Sequence, residues 1–409
     1  AAVAAARGGA RVRLLELHGC LGGMWTSGLI TWVIDSLHKP GIMAEIGARL
    51  DARGARYSRG RDYAYDAEAM KLLLEQMCLE AGVQVQMHTR VVAAAVERGR
   101  LRLAITESPS GREAWAAPVF IDATGNGDLA ASAGCGYDLG RDDAAGPGGE
   151  MQPMSLLVLL SGLDAREIAA FISHPDQDHK EAKRLLTAEM QAAGVEPSYH
   201  GQTLFHLGGD LYSLSGNHQY GFSPLSAADI TRATMQARAE MHRIVDALRA
   251  RGGVWRNLRL VATAEQIGVR DGRRVRGRYT VTRDDLLAGA SHADAVARVT
   301  VGIDVHTPDP QRNKTYSPEN RTRTLPYDIP LRACIARDVE GLLMAGRCVS
   351  GDFLAHASYR MTATAAALGQ GAGALAAVAA LSGRAPHAVS WEDVRPAYER
   401  LIAEPLGAR

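Results

Sequence analysis

The sequence predicts an α/β protein: a nucleotide-binding unit of the βαβ type with a β-meander, and a second, α+β unit on an antiparallel sheet. Three observations carry that expectation. The chain opens with a run of helix formers, a glycine pair and a short apolar strand ending in an acid. A second apolar strand, residues 119–121, runs into the small-residue turn DATGNGD at 122–128. Residues 151–330 have no βαβ rhythm and alternate instead like antiparallel strands.

In chain order, residues 1–9 (AAVAAARGG) favour a helix closed by glycine. Val12, Leu14 and Leu15 then form a short buried strand ending at Glu16. An acid at that place accepts hydrogen bonds from a ribose hydroxyl, or is an ordinary strand-end acid. The Gly-rich turn of such a unit would precede Ala1, so the true N-terminus is expected upstream. The glycine-rich stretch 18–29 (HGCLGGMWTSGL) allows close backbone approach to a ligand. Helical periodicity covers 42–53 and 66–81. Strands are expected over 83–96, 101–107 and 114–121, with SPSGR as a turn. In the middle region, 154–163 reads as a long apolar strand and 165–193 as mostly helical. Residues 203–220 read as antiparallel strands turning at Gly208-Gly209-Asp210, and 230–251 as an amphipathic helix. A buried strand at 339–345 and a closing helix at 362–381 return the chain to the first unit.

Composition narrows the function. The chain has 409 residues, 46% hydrophobic and 22% charged, enough for a large buried core. A net charge of +1 argues against a nucleic-acid binder, which carries a basic face. The most apolar stretch, 363–381, is rich in Ala and Gly and reads as a buried helix, so no membrane partner is expected. Five scattered cysteines without a CxxC pair exclude a disulfide framework, a zinc site and a disulfide-reductase mechanism. The whole reads as a soluble, cytoplasmic enzyme acting on a small molecule. Signal peptide, homo-oligomer and electron partner stay open.

Four blocks stand in order along the chain: ARGGARVRLLELHGCLGGMWTSGL, FIDATGNGDLAASAG, IGVRDGRRVRGRYTVTRDDLLAG, and the segment 327–373 with YDIPLR, GLLMAGRCVSGDFLAHASYRM and ALGQGAG. They resemble the FAD-dependent oxidoreductase family of the glutathione-reductase-type flavoprotein superfamily, related to fumarate reductase flavoproteins. The departure is the missing GxGxxG turn. The resemblance implies a Rossmann-like FAD-binding domain from residues 1–150 and 331–385, a substrate domain at 151–330 and a helical tail at 386–409. It implies non-covalent FAD, with Glu16 on the adenosine ribose and Gly22, Gly23, Met24, Thr26 and Ser27 along the pyrophosphate, ribityl chain and ring. Val92 would meet adenine through its backbone, and Ala123, Thr124 and Gly125 would pass beside the cofactor. Gly346 and Arg347 would close over the flavin end, with helix-opening amides near Gly369, Gln370, Gly371 and Gly373.

The catalytic candidates are His356 and Arg360, set i, i+4 in LAHASYRM, as proton carrier and oxyanion binder. A core histidine and an arginine paired to a structural acid are the plain alternatives. His218, with Asn217 and Tyr220, forms a second candidate group, or a surface turn. Arg270, Arg273 and Arg274 read as interface salt bridges more readily than substrate contacts. Asp304 and His306 resemble half a metal site but have no third ligand nearby, so a structural or substrate-edge role is expected. Trp25 and Trp32 are an aromatic wall or core, and a covalent flavin link at His18 has no positive sign. The expected reaction is hydride transfer between a small organic substrate and flavin N5. The alternatives are a flavin monooxygenase and a flavin-free protein retaining the fold.

Overall fold

Two parallel strand pairs, both fed by distant parts of the sequence, carry the nucleotide-binding unit. In this computed structural model the structure describes residues 1–57, 62–141, 150–173, 179–311 and 317–403. The end of the expected 1–150 segment, part of the 165–193 helical stretch and the last residues of the tail lie outside the described residues. The helix Ala2–Arg7 leads into the strand Arg13–Leu15, which pairs in parallel with Gln84–Gln86, Leu14 opposite Val85. The crossover carries the helices Ile42–Ala52 and Ala67–Glu80, the latter capped by Asp66, whose side chain accepts from Ala69 N–H. Phe120–Asp122 pairs in parallel with Leu342–Met344, and the latter is almost wholly buried, as parallel strands usually are. The expected strand stretch 83–96 is split. His88, at φ +53°, breaks the ladder between Gln84–Gln86 and the first meander strand, Arg90–Glu97. That strand runs antiparallel to Arg100–Ser108, which pairs with Gly111–Ala116.

The middle of the chain builds a four-stranded antiparallel sheet in the order Thr203–His206, Tyr212–Ser215, Val158–Ser161, Arg259–Thr263. The apolar strand is shorter than residues 154–163. The Asn217 side chain takes both backbone groups of Leu156, accepting from its N–H at 3.1 Å and donating to its carbonyl at 2.6 Å, so the ladder cannot extend there. Asn217 is thus a framework residue. The long helix Ala227–Arg251 starts at a Ser226 cap and ends at Gly252, φ +76°. Its face of Met241, Ile244 and Leu248 packs with Leu160, Tyr212 and Leu214 into a core of its own.

The chain rejoins the main core by Val275, earlier than the expected boundary at 331: Val275, Val296, Val299, Tyr327 and Ile329 share one core with Leu342–Met344. The hairpin-like pair Ala295–Val299 and Tyr327–Pro330 lies on the helix Thr362–Ser382. That helix is long and apolar enough to cross a bilayer, but most of it is buried here against Ala2–Arg7, Ile42–Ala52 and Trp391–Ala403.

Candidate functional site

The loops that follow the parallel strands leave from their carboxyl ends, where open α/β sheets hold ligands. Just past its strand, Glu16 accepts from His18 N–H at 2.9 Å and is half-buried. Gly22 and Gly23 are left-handed, at φ +109° and +53°; a Cβ on Gly22 would strike Leu74, whereas one on Gly23 would meet open space. Thr26 donates to Leu21 O at 2.6 Å and Ser27 to Gly23 O at 2.9 Å. Their hydroxyls therefore shape the loop. The Met24 side chain lies against Gly28 and Gly268. Val92 falls at a register break between the pairs Val91–Thr106 and Ala93–Ile105, which releases its backbone from that ladder. Ala123 and Thr124 are exposed beyond the strand, and Asp122 is buried beneath them, accepting from Thr124 and from Ala130 N–H.

Arg347 lies in the turn Gly346–Cys348 with its guanidinium between two glycines. A Cβ at Gly125 would stand 2.7 Å from Nη2, and one at Gly272 would stand 3.2 Å from Nη1. Nη2 donates to Asn126 Oδ1 at 3.1 Å, while the buried Nη1 has no acceptor among the described residues. Burial draws this guanidinium below its ordinary value. His356 supports the turn from behind: Nε2 donates to Arg347 O at 3.0 Å, and Nδ1 stands 4.0 Å from Asp271 Oδ1. Burial first, then Arg274, Arg360 and Arg347, push its pKa far down, so it is a neutral imidazole. His356 is fully enclosed, and its Nε2 is engaged by the Arg347 carbonyl.

The residues Gly369, Gln370, Gly371 and Gly373 also sit differently from expectation. The helix opens at Thr362, so their amides lie inside its hydrogen-bond ladder. Gly371 backs onto Val296, Gly373 onto the Ala2–Arg7 helix, and Gln370 accepts from Ile42 N–H at 2.8 Å to cap another helix. At the true helix start the Thr364 hydroxyl is buried without a partner.

Between this turn and the antiparallel sheet lies a half-buried polar cluster. Arg360 Nη2 donates to both Asp304 O and Asp304 Oδ2, at 2.8 and 2.9 Å. Asp304 Oδ2 is 3.4 Å from His306 Nε2. Burial would raise the Asp304 carboxyl, but His306, Arg360 and Arg270 together hold it well below the usual range. Burial and Arg270 push His306 the other way from protonation, below the ordinary imidazole value. Arg270 donates to Pro153 O and to Ser155 Oγ, and its Nη2 reaches His218 Nε2 at 3.3 Å. Desolvation pulls Arg270 down to about 10. The ring of Tyr199 stacks on His218 at 3.9 Å, and His306 meets His218 edge-on at 4.9 Å. Gln152 joins the halves, donating to Asp271 at 2.8 Å and accepting from His306 N–H at 2.9 Å.

Thus Arg360, His218, Arg270, Asp304 and His306 come together, as do Arg347 and His356 beside them. Arg273 pairs with Asp128 at 2.8 Å, and Arg274 donates to Gly351 O and Gly140 O, both outside the cluster. Trp32 stacks on Phe205 at 4.1 Å and Trp25 is in the main core. His18 meets Glu265 at 3.3 Å. All five cysteines are free and buried, and no metal-binding group of three or more ligands occurs among the described residues. Tyr199, Gln152 and Asp271 carried no sequence signal, since nothing local marks a residue whose partners lie in other segments.

A family model described as FAD dependent oxidoreductase matches residues 1–398. The chain belongs to that family. No curated protein matches it. Among solved structures it is similar to a geranylgeranyl bacteriochlorophyll reductase-like protein from Thermoplasma acidophilum, at 14% identity and TM-score 0.47, covering 98% of this chain and 79% of that one. It is also similar to a myxobacterial chondrochloren halogenase, at 14% identity and TM-score 0.48, covering 98% and 75%. A flavin-dependent brominase shares 11% identity at TM-score 0.48, covering 98% and 79%. The residues of this FAD-dependent oxidoreductase fit its cofactor. Among the described residues Arg347 Nη1 and Thr364 Oγ1 are buried donors without an acceptor, the kind of group that a ligand rich in acceptor oxygens and nitrogens would satisfy. A Cβ on Gly23 would meet open space, and Val92 lies at a register break of its ladder.

Proposed function

We propose that this FAD-dependent oxidoreductase transfers a hydride between a small organic substrate and flavin N5, with the substrate seated beside Arg270 and Arg360. The observation that carries the reading is the arrival, in one half-buried cluster, of two guanidinium groups and two imidazoles from stretches far apart in sequence. FAD, when bound, supplies the ring that exchanges the hydride. Arg360 and Arg270 orient an oxyanion of the substrate through their N–H groups. His306 handles the proton. Its Nε2–H is directed at Asp304, which leaves Nδ1 as a lone pair, and the depressed pKa keeps the ring in its accepting form at neutral pH. Arg360 keeps Asp304 ionised and so fixes that orientation.

The test is anaerobic bleaching of the bound flavin, whose absorbance near ~450 nm belongs to the cofactor. Candidate substrates that bleach the wild type should bleach Arg360→Leu and His306→Asn roughly a hundredfold more slowly, with the oxidised spectrum retained. Unslowed bleaching in both variants would place the substrate elsewhere.

A further inference from the structure

The buried carboxylate of Glu240 forms no ion pair among the described residues. It sits midway along the Ala227–Arg251 helix at 5% exposure, on a face otherwise made of Ala233, Ala237, Met241 and Ile244. A buried carboxylate is costly unless its oxygens are filled, and an aliphatic residue would serve that face as well. Glu240 is filled by three donors: Ser198 N–H at 2.8 Å, Ser198 O–H at 2.9 Å and Gln219 Nε2–H at 2.9 Å. Ser198 precedes Tyr199, and Gln219 follows His218. One carboxylate therefore holds both segments that carry the stacked rings of the junction.

The hydrogen-bond directions beyond Ser198 are fixed by chemistry. Arg270 can only donate, so His218 Nε2 accepts and the proton of the neutral ring is on Nδ1. Nδ1–H then donates to Tyr220 O at 3.2 Å, and Tyr220 O–H donates to Ser198 O at 3.2 Å. Ser198 Oγ also accepts from His218 N–H at 2.9 Å. The chain of donors ends on Ser198, and Ser198 is anchored by Glu240. We propose that Glu240 is a positioning residue: through Ser198 and Gln219 it holds His218 in the place where Arg270 selects the Nδ1–H tautomer, keeping Nε2 an acceptor facing Arg270. The value of this for the reaction rests on the junction being the substrate seat.

The test uses full-length holoenzyme labelled with 15N-histidine, the His218 signals being identified by their loss in His218→Gln. The wild type should show His218 as a fixed Nδ1–H tautomer. In Glu240→Gln an amide N–H faces the Ser198 donors, and the Nδ1–H signal should be lost or exchange with an Nε2–H form. Ser198→Ala, which removes only the hydroxyl, should move the signals the same way and decides the matter if Glu240→Gln does not fold. An unchanged His218 signal in a folded variant overturns the proposal. Bleaching kinetics separate it from the substrate reading. A tautomer change with at least a tenfold slower bleaching supports both. A tautomer change with unaltered bleaching keeps Glu240 as the positioning residue and removes the junction as the substrate seat.

Discussion

Arg347 depends on two positions having no side chain. Gly125 is left-handed at φ +81° as well as crowded, so a substitution there mixes backbone strain with collision. Gly272 separates them, because its constraint is space alone: a Cβ would stand 2.8 Å from Asn126 Oδ1, 3.1 Å from Gly125 O and 3.2 Å from Arg347 Nη1. The backbone oxygen cannot yield as a side chain can, so Asn126 and Arg347 must move. Gly272→Ala should cost about 1–3 kcal/mol of stability, the usual range for an overpacked site. It should also weaken FAD retention, because Arg347 Nη1 is one of the buried donors waiting for an acceptor. Urea melts and a flavin fluorescence titration check both parts; wild-type FAD affinity in a destabilised variant would make Arg347 purely structural. Sequence reasoning reached Arg347 through its block but could not see the seat, since Gly125 and Gly272 are far apart in the chain and only the fold sets them face to face.

Secondary-structure elements show where local signals suffice and where they mislead. The Ala67–Glu80 and Ala227–Arg251 helices are announced by their apolar periodicity, and the structure adds the Asp66 and Ser226 caps that start them. The Thr203–His206 and Tyr212–Ser215 hairpin is announced by Gly208-Gly209-Asp210. All of these depend on residues within a few positions. The GQGAG segment does not: glycines that let a backbone approach a ligand look the same as glycines that let two elements pack closely. In the helix Thr362–Ser382 the second use holds, with Gly371 against Val296, where a Cβ would stand 2.6 Å from that side chain's Cβ. Gly371→Ala should therefore cost about 1–3 kcal/mol through crowding, partly offset by the roughly 1 kcal/mol that alanine gains over glycine in a helix. The flavin spectrum and FAD affinity of the folded variant should match the wild type. A selective loss of FAD binding without a change in melting would return this segment to the cofactor site.

Across the whole molecule, the polar junction brings charged and titratable groups into a place where burial governs protonation. The sequence offered His356 with Arg360 as one candidate group, His218 as another, and Asp304 with His306 as a pair with a structural or substrate-edge role. Their union is tertiary, because Arg360 meets Asp304 across 56 residues of sequence and His218 meets Arg270 across 52. That union has a consequence for stability. His356 and His306 are both held neutral, below the ordinary imidazole value near ~6.5. In the unfolded chain they regain that value, so below pH ~6.5 the unfolded state takes up protons that the folded state refuses. Stability must then fall as pH drops, and it is flat on the alkaline side of this window. Asp304 does not reverse the sign, since its carboxyl is held below its usual range when folded and unfolded carboxylates titrate only near pH ~4. Each histidine should remove roughly 1.4 kcal/mol between pH 7.5 and 5.5. His356→Gln isolates one of them: the amide can still donate to Arg347 O but does not titrate. Unfolding free energies of wild type and variant, measured by urea melts across that interval, should diverge by roughly 1.4 kcal/mol, with the variant losing less on acidification. Parallel pH dependences would mean that His356 is protonated inside the fold, and the account of it as a neutral support for the Arg347 turn would have to be abandoned.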